Sequence, residues 1–370
     1  MLTERERQIL EWIRQNPSIS QQEIAQKAGI SRSSVAVHIS NLTRKGAILG
    51  RQYVLADRPY VVVIGGTNMD VSGKPSRALS QHDTLPGTVN VSAGGTARNV
   101  AHNLALLGSD VKLITAFGDD VRAKELSEQC RQLGIDVNHS ITVPGAPTST
   151  CLFIMDELGD MSLAIADMEM LGALTPAVLE SRLDLISHAA ACFVDANVSE
   201  ESLRFIAENV EVPLFCDPVA TTKAGKLRGL LGHFHTVKAN LLEAQVLADM
   251  PIVDDASLSE AASRMLDTGL TRVIVTLGAR GLYCADREGE LRMPIIDAKV
   301  VSTTGAGDTM MAAVTWAYLQ GETRLGTCAA GLAAAAISTE SAQTVNPDLS
   351  AQRVRALMEG ARKLEGGFAW

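Results

Sequence analysis

The sequence of 370 residues has few aromatic side chains, which make up 4% of it. It also lacks a long apolar run: the Ala- and Gly-rich stretch Leu325–Thr339 falls short of the ~18 residues that a transmembrane helix needs. Its six cysteines include no Cys-x-x-Cys pair and no histidine at metal-binding spacing, so we expect free thiols in a reducing compartment. The charged residues 1–7 do not resemble a signal peptide, which predicts a cytoplasmic protein with no membrane contact.

Two well-known phosphate-transfer motifs are also absent. The sequence contains no P-loop, whose pattern is Gly-x-x-x-x-Gly-Lys-[Ser/Thr], and no His-Arg-Asp loop of the protein-kinase type. Any phosphoryl transfer by this chain therefore requires another architecture.

Charge is unevenly distributed along the chain. The whole sequence has 33 basic and 42 acidic residues, whereas residues 1–58 contain nine basic and five acidic ones. A basic segment joined to an acidic body favours a nucleic-acid contact for the first segment alone.

Residues 1–55 predict three short helices followed by a β-hairpin over residues 47–55. Helix-capping side chains stand where the three helices begin, at Thr3, Ser20 and Ser31. The third helix runs from Arg32 to Lys45, and we expect Val37 to be among its inward-facing residues. This order resembles the winged helix-turn-helix of bacterial transcription regulators.

In a winged helix-turn-helix, the third helix would enter the major groove by its N-terminal end. Its outward residues are then the predicted base-contacting set, namely Arg32, Ser33, Ser34 and His38. Basic residues that could reach phosphates are Arg44, Lys45 and Arg51. The alternative is a small helical protein-interaction domain with a solvated basic face.

From Tyr60 onward, apolar strands alternate with helices. The predicted strands are Val61–Ile64, Val111–Phe117, Ala191–Asp195, Leu214–Asp217, Thr236–Ala239 and Val273–Leu277. The predicted helices are Thr96–Leu107, Ala123–Leu133, Glu200–Asn209, Leu241–Leu247 and Leu258–Leu266. This alternation predicts a three-layer α/β/α domain over residues 57–370, after a first domain over residues 1–56. Segments 71–91 and 140–166 break the rhythm, and we interpret them as a small β-lid.

The sharpest chemical signal is Gly305-Ala306-Gly307-Asp308, followed by a helix rich in alanine and methionine. Two glycines around a small residue let successive backbone N–H groups converge, and the helix N-terminus adds positive potential, so this segment would bind an anion. A carboxylate beside that anion makes sense as the base that deprotonates an attacking hydroxyl. The alternative is a Gly-rich turn in which Asp308 caps the helix.

Further polar residues follow predicted strands or precede helices. Asp70 follows a Gly turn at the end of the first strand, where a carboxylate could bind two neighbouring hydroxyls of a sugar. Asn99 lies one turn into a helix that begins after two glycines, where it could orient a polar ligand. Asn240 and Glu243 form a capping-box pattern, and Glu243 could also hold a magnesium-bound water.

Five motifs between residues 60 and 360 together resemble those of the ribokinase-like (PfkB-type) carbohydrate and nucleoside kinases. They are Gly-Gly-x-Asn-x-Asp (Gly65–Asp70), Gly-Gly-x-x-x-Asn (Gly94–Asn99), Asn-x-x-Glu (Asn240–Glu243), Thr-x-Gly-x-x-Gly (Thr276–Gly281) and Gly-Ala-Gly-Asp (Gly305–Asp308). The resemblance implies the ribokinase-like fold with a β-lid, and the use of ATP and Mg²⁺.

The resemblance also implies a role for each motif. Asp308 is the base, and the amides of Gly305, Ala306 and Gly307 form the anion hole. The implied acceptor-binding residues are Asn68, Asp70, Gly94, Gly95, Thr96 and Asn99, with Asp167 from the lid. The implied ATP-binding residues are Asn240, Thr276, Gly278 and Gly281, and Glu243 is implied to hold Mg²⁺ through water.

Within this family the chain is most similar to bacterial pseudouridine kinases. Shared segments include Arg98–Gly108, Ala164–Met168, Asp217-Pro218-Val219 and Asn346–Leu349. Those enzymes commonly carry asparagine at the position of Ala166, so inosine or another nucleoside is an alternative acceptor. Thr96 replaces the lysine of many relatives, and Ser302 replaces an aspartate of K⁺-dependent ones, which leaves activation by K⁺ open.

We therefore expect an ATP- and Mg²⁺-dependent kinase for the 5′-hydroxyl of a nucleoside, with pseudouridine as the first candidate. One alternative is a kinase for a free sugar such as ribose. Another is a transcription regulator whose kinase-like body senses a nucleoside. We also expect DNA binding through residues 1–56, and a homodimer, because lid edges in this family often pair between subunits and winged helices commonly bind DNA as dimers.

Overall fold

The computed structural model describes residues 2–16, 19–49, 59–80, 82–156 and 161–361. The chain divides into two compact units, residues 1–59 and 60–370. None of the helices in the described ranges has the length and apolar character needed to cross a membrane.

The first unit contains three helices, α1 (Glu4–Gln15), α2 (Gln21–Ala28) and α3 (Arg32–Arg44). The predicted caps are present: the side chains of Thr3, Ser20 and Ser31 each accept a backbone N–H from the first turn of their helix. Gly29 ends α2 with a φ of +63°, a left-handed conformation that glycine adopts without steric cost. The three helices enclose a small core whose buried members include Ile9, Ile13, Ile24, Val35 and Leu42.

Two features of this unit differ from the sequence-based expectation. Val37 is 59% exposed, so the prediction that it faces the core was wrong. Its neighbours Val35 and Ile39 are buried one helical turn apart, and position 37 lies off that stripe. Residues 50–55 of the predicted hairpin, including Arg51, lie outside the described residues.

The second unit begins with strand β1 and continues as alternating strands and helices. Its strands are β1 (Tyr60–Ile64), β2 (Asn68–Pro75), β3 (Gly87–Gly94), β4 (Asp110–Ile114), β5 (Ala116–Phe117), β6 (Ile135–Asp136), β7 (Ile141–Thr142), β8 (Thr150–Met155), β9 (Met161–Asp167), β10 (Ala191–Asp195), β11 (Leu214–Asp217), β12 (Thr236–Asn240), β13 (Arg272–Thr276), β14 (Leu282–Asp286) and β15 (Gly289–Met293).

The α-helices of this unit are α4 (Thr96–Leu106), α5 (Val121–Gln132), α6 (Pro176–Glu180), α7 (Leu183–Ser187), α8 (Glu200–Asn209), α9 (Thr221–Ala224), α10 (Leu241–Ala248), α11 (Asp255–Asp267), α12 (Ala306–Leu319), α13 (Arg324–Thr339) and α14 (Ala351–Ala361). Short 3₁₀ helices cover Glu169–Ala173, Gly225–His233 and Gly278–Arg280.

Nine strands form the central sheet in the order β15-β14-β13-β12-β11-β10-β1-β4-β6. Neighbouring strands from β6 to β13 pair in parallel, and β14 and β15 add an antiparallel edge. Both faces of the sheet are covered. In β1, Val61 and Val63 pack into one apolar cluster while Val62 and Ile64 pack into the other. The expected three-layer α/β/α architecture is confirmed.

A second sheet of four strands, in the order β3-β2-β8-β9, forms the lid. The lid draws on both segments that break the α/β rhythm, but the short strand β7 pairs with β5 instead. The register places Asp70, Cys151 and Ala166 side by side on one face, with Ser72, Phe153 and Ala164 in the next row. The opposite face is mainly apolar, although Thr150 and Asp167 also lie on it, and its apolar members include Val71, Val89, Val91, Leu152, Ile154, Leu163 and Ile165.

Candidate functional site

Helix α12 begins at the Gly-rich motif. Gly305 precedes the helix with a φ of +80°, and a Cβ there would lie 2.0 Å from the carbonyl oxygen of Thr344. Only glycine fits this position, so the chain can turn sharply into α12. The N–H of Ala306 donates to the carbonyl of Thr303 at 3.2 Å, while the N–H groups that follow have no helical partner. Helix N-termini of this kind bind anions. The structure thus provides the backbone geometry expected of an anion hole at residues 305–307.

Asp308 lies in the first turn of α12, and its Oδ2 accepts a hydrogen bond of 2.8 Å from Nδ2 of Asn99 in α4. Burial and the nearby Asp217 carboxylate raise the pKa of Asp308 to about 7, against the opposing effects of Asn99 and Lys238. A carboxylate with a pKa near neutrality is well matched to accept a proton from a hydroxyl. The structure therefore joins two predicted site residues that are far apart in sequence.

Asp70 contacts two other predicted acceptor-binding residues. Asn68 donates a 2.6 Å hydrogen bond to Asp70 Oδ1, and a Cβ at Gly94 would lie 2.2 Å from Asp70 Oδ2. Burial raises the pKa of Asp70, while Asn68 and Arg98 act in the opposite direction. The predicted residues Asn68, Asp70 and Gly94 are therefore in mutual contact, and Gly94 is small because the carboxylate occupies the space beside it.

Gly95 and Thr96 connect this carboxylate to α4. A Cβ at Gly95 would lie 2.3 Å from the carbonyl oxygen of Gly66, and Thr96 is the first residue of the helix. The two Gly-Gly segments consequently pack directly against each other, and no side chain fits between them.

The sequence did not reveal what holds these two segments together. The buried Asp195, at the end of β10, accepts 2.9 Å hydrogen bonds on Oδ2 from the backbone N–H groups of Gly66 and Ala97. A Cβ at Gly65 would clash with this carboxylate. Asp195 therefore fixes the loop after β1, which contains Gly66, to the N-terminus of α4. Its place as the last residue of the predicted strand Ala191–Asp195 was the available signal, but its partners depend on the fold.

A cavity of about 420 Å³ adjoins the N-terminus of α12. This volume lies within the usual range of small-molecule sites. The predicted nucleotide residues Thr276, Gly278 and Gly281 line it together with Ala306 and Gly307. Its remaining walls are mainly apolar side chains from the segment after β15 and from α13, among them Ile295, Ile296, Val300, Leu332, Ala335 and Ala336. The anion hole and the nucleotide motif thus share one cavity.

Asn240 and Glu243 form the capping box that their spacing predicted. Glu243 N–H donates to Asn240 Oδ1 at 2.9 Å, and Asn240 N–H donates to Glu243 Oε2 at 2.8 Å. Burial raises the pKa of Glu243. The described residues contain no group of three or more His, Cys, Asp or Glu side chains able to hold a metal ion. A single carboxylate is compatible with Mg²⁺ held mainly by water and phosphate oxygens.

Lys238 and Asp217 are further residues whose contact the sequence did not predict. Lys238 Nζ lies 2.6 Å from Asp217 Oδ2, and both side chains are buried. Burial acts to lower the pKa of Lys238, but the charge of Asp217 outweighs it and the pKa is raised. The pair joins the last residue of β11 to the middle of β12, so recognising it required the strand order.

The predicted lid residue Asp167 does not lie with the other predicted acceptor-binding residues. It pairs with Thr150 in the lid register, on the face opposite to Asp70, and it is exposed. The structure does not bring Asp167 into the Asp70–Asp308 region described above. Ala166 and Phe153 occupy the face that Asp70 shares.

The predicted DNA-contacting residues lie on or next to α3. Arg32, Ser33 and Ser34 are exposed at its N-terminal end, and both serine hydroxyls hydrogen bond to Ser31 Oγ. His38 is half-buried. Lys45 forms an ion pair with the buried Glu6 at 2.7 Å, and Arg44 donates to Asn41. Arg32 and Arg44 are therefore exposed at the two ends of α3.

Comparison with known proteins identifies the family. Residues 58–351 match the model of the pfkB family of carbohydrate kinases. The chain belongs to this family. Residues 2–48 match a winged helix-turn-helix DNA-binding model. As a pfkB-family protein, the chain is a phosphotransferase for sugars or nucleosides, and ATP is the phosphoryl donor of its family.

Two curated relatives, both from Escherichia coli K12, match most of this chain. The chain is 38% identical to the uncharacterized sugar kinase YeiI over 96% of this chain and 99% of the relative. It is 36% identical to a pseudouridine kinase over 84% of this chain and 100% of the relative. A solved carbohydrate kinase from Agrobacterium tumefaciens superposes with a TM-score of 0.72 at 28% identity, over 82% of this chain and 97% of that one.

Proposed function

We propose that this pfkB-family kinase transfers the γ-phosphoryl group of ATP to the 5′-hydroxyl of a nucleoside, with pseudouridine as the first candidate. The observation that carries the proposal is the position of Asp308. Its carboxylate adjoins the anion hole of α12 and is oriented by Asn99, on the side where Asp70 would hold the acceptor.

The acceptor's sugar hydroxyls would bind Asp70, and the reacting hydroxyl would hydrogen bond to Asp308. The amides of residues 305–307 would stabilise the charge of the transferred phosphoryl group, since such catalysis depends on positioning and on charge neutralisation. Mg²⁺, when bound with ATP, would supply further positive charge beside the phosphates, held through water by Glu243. K⁺ activation stays an open prediction, because Ser302 offers no carboxylate.

The lid favours a nucleoside over a free sugar. On the face that carries Asp70, the register aligns Phe153 with the small residues Ala164 and Ala166. Phe153 offers an aromatic surface and the alanines leave space beside it, as a flat base requires. The relative named pseudouridine kinase supports a pyrimidine C-nucleoside as that acceptor, and inosine or ribose are the alternatives.

Asp308 gives the direct test of this function. A panel of pseudouridine, uridine, inosine and ribose is incubated with ATP and Mg²⁺, and ADP release is measured. We expect the highest kcat/KM with pseudouridine, and we expect Asp308→Asn to lower kcat by at least ~100-fold while binding of the nucleoside is retained. Turnover of ribose alone would contradict a nucleoside substrate, and full activity of Asp308→Asn would remove Asp308 as the base.

The same proposal includes two interactions with other molecules, namely DNA binding and dimerisation. Residues 1–56 bind DNA through α3, and this is supported by the winged helix-turn-helix match and by the exposure of Arg32.

The protein is a homodimer in which the apolar faces of two lids meet. Val89 is 71% exposed and Ile165 is 58% exposed on that face, and contiguous apolar surface of this kind marks an interface.

A further inference from the structure

Lys238 and Asp217 form a buried ion pair for which the predicted kinase motifs assign no role. Lys238 is 6% exposed, and its Nζ lies 2.6 Å from Asp217 Oδ2. Removing two charges from water is costly, and apolar replacements of such pairs are often no less stable. The pair therefore calls for a function beyond holding β11 to β12.

The ammonium group lies beside the anion hole. A Cβ at Gly307 would lie 2.9 Å from Lys238 Nζ, so the absence of a side chain at 307 leaves the ammonium next to the helix backbone. Gly307 also lines the nucleotide cavity. A phosphoryl group held by the amides of residues 305–307 would consequently have Lys238 as a neighbour.

The charges around Lys238 are predominantly negative. The carboxylates of Asp217, Asp308 and Glu243 all act to raise its pKa, so the lysine stays protonated despite its burial. A bound polyphosphate would add more negative charge to this region. A fixed cation is the group that would make such a site hold and stabilise a phosphoryl group.

The turn after β11 keeps Asp217 in position through an unusual conformation. Val219 has a φ of +69°, which a β-branched residue rarely adopts, and its N–H donates to Asp217 Oδ1 at 2.8 Å. Asp217 Oδ1 is thereby fixed by the backbone while Oδ2 directs Lys238. Strained residues of this kind persist where the surrounding structure over-determines them, and they cluster at functional sites.

We propose that Lys238 is a catalytic residue whose ammonium contacts the transferred phosphoryl group, and that Asp217 is the positioning residue that directs it. During transfer, the acceptor oxygen bonds to the γ-phosphorus of ATP while the bond from that phosphorus to the β,γ-bridging oxygen breaks. The electron pair leaves with ADP, and the hydroxyl proton passes to Asp308. Lys238 neutralises the charge of the equatorial oxygens. The inference rests on the proposed role of Asp308.

The test replaces the lysine by an uncharged side chain of similar length. Lys238→Met is compared with the double variant Asp217→Asn/Lys238→Met, which leaves no unpaired buried charge. We expect kcat to fall by ~100-fold or more in both variants, as on loss of an oxyanion-hole donor, with nucleoside affinity changed less than threefold. The matched control is Lys226→Met, whose Nζ donates only to the backbone oxygens of Ala196 and Val198 in the contacts described, and it should retain kcat.

A binding measurement separates this role from a structural one. By calorimetry, the double variant should lose at least tenfold affinity for the non-hydrolysable ATP analogue AMP-PNP but keep its affinity for ADP, which lacks only the γ-phosphate. A folded double variant with wild-type kcat, or with equal losses for both nucleotides, overturns the proposal. If the wild-type protein phosphorylates no nucleoside, the proposed function fails, and the comparison of AMP-PNP with ADP still decides the role of Lys238.

Discussion

The carboxylate of Asp308, in the first turn of α12, receives a hydrogen bond from Asn99 and is influenced electrostatically by Asp217 and Lys238. At the scale of single residues, these neighbours determine how readily it accepts a proton. Burial and Asp217 favour the protonated form, whereas Asn99 and Lys238 favour the carboxylate, and the resulting pKa is about 7. Small changes in pH near neutrality therefore change the fraction of Asp308 that can act as a base.

This pKa predicts the pH dependence of the reaction. A general base is active when ionised, so kcat/KM for the acceptor should rise with pH up to about 7 and level off above it. The measurement is a profile from pH 5.5 to 9 at saturating MgATP, with ATP affinity measured in parallel because the terminal phosphate also titrates near ~6. A flat profile across this interval would contradict the assignment.

Some residues of the site could be predicted from the sequence, and others could not. Asp308, Asn99, Asp70 and the glycines stand in local motifs whose chemistry is legible from neighbouring residues. Lys238 and Asp217 meet only because β11 and β12 are adjacent, and Asp195 acts by joining two segments that are distant along the chain. Their partners follow from strand order, which a single sequence does not specify.

At the scale of elements, strongly apolar strands were predicted well, and the exceptions have local causes. The predicted strand Val111–Phe117 is divided into β4 and β5 at Thr115. The buried Thr115 hydroxyl donates to the carbonyl of Gly65, and its N–H donates to Ser140 Oγ, so this residue leaves the regular pairing. The antiparallel edge strands β14 and β15 were not predicted.

Phe153, in the lid strand β8, leads to a prediction about recognition of the base. Phe153→Ala removes the aromatic surface beside Ala164, so KM for the nucleoside should rise by about tenfold, the scale of ~1–2 kcal/mol expected of base stacking. Turnover of ribose, if detectable, should change less than twofold because ribose has no base. Val253→Ala, at an exposed loop residue outside the lid, is the control. Equal effects of Phe153→Ala on both acceptors would mean that Phe153 does not contact the base.

A substitution at Arg32, in α3, tests the proposed binding of DNA by the first unit. Arg32→Ala should weaken binding to a random-sequence duplex about fivefold at 150 mM salt and reduce its salt dependence, since the arginine that would face the groove no longer contributes its positive charge. Fluorescence anisotropy at several salt concentrations gives both values. Arg14→Ala, an exposed arginine at the end of α1, is the control and should bind as the wild type does. Unchanged affinity of Arg32→Ala would contradict the assigned face of α3.

At the scale of the whole molecule, the chain combines a unit that matches a winged helix-turn-helix model with a kinase unit whose lid exposes apolar side chains. The two faces of the four-stranded lid carry different kinds of residue. One carries Asp70 and Phe153, and the other carries exposed residues such as Val89, Leu163 and Ile165. A second copy of the chain is the partner that would cover this outer face.

Disruption of that face should change the oligomeric state. We expect the wild-type protein to sediment as a dimer and Ile165→Glu to sediment as a monomer, because a carboxylate buried against apolar side chains is strongly disfavoured. Val253→Glu, at a loop residue that is 72% exposed, controls for the added charge. Analytical ultracentrifugation reports both species. A monomeric wild-type protein would refute the predicted dimer.

The division between lid and sheet also bears on protein engineering. The acceptor's base would meet only the four-stranded lid, whereas the donor cavity is built from α12, α13 and the segments around β13 and β15. Because the two share few residues, transplanting the lid from another family member would retarget the enzyme to a new alcohol while its handling of ATP remains intact.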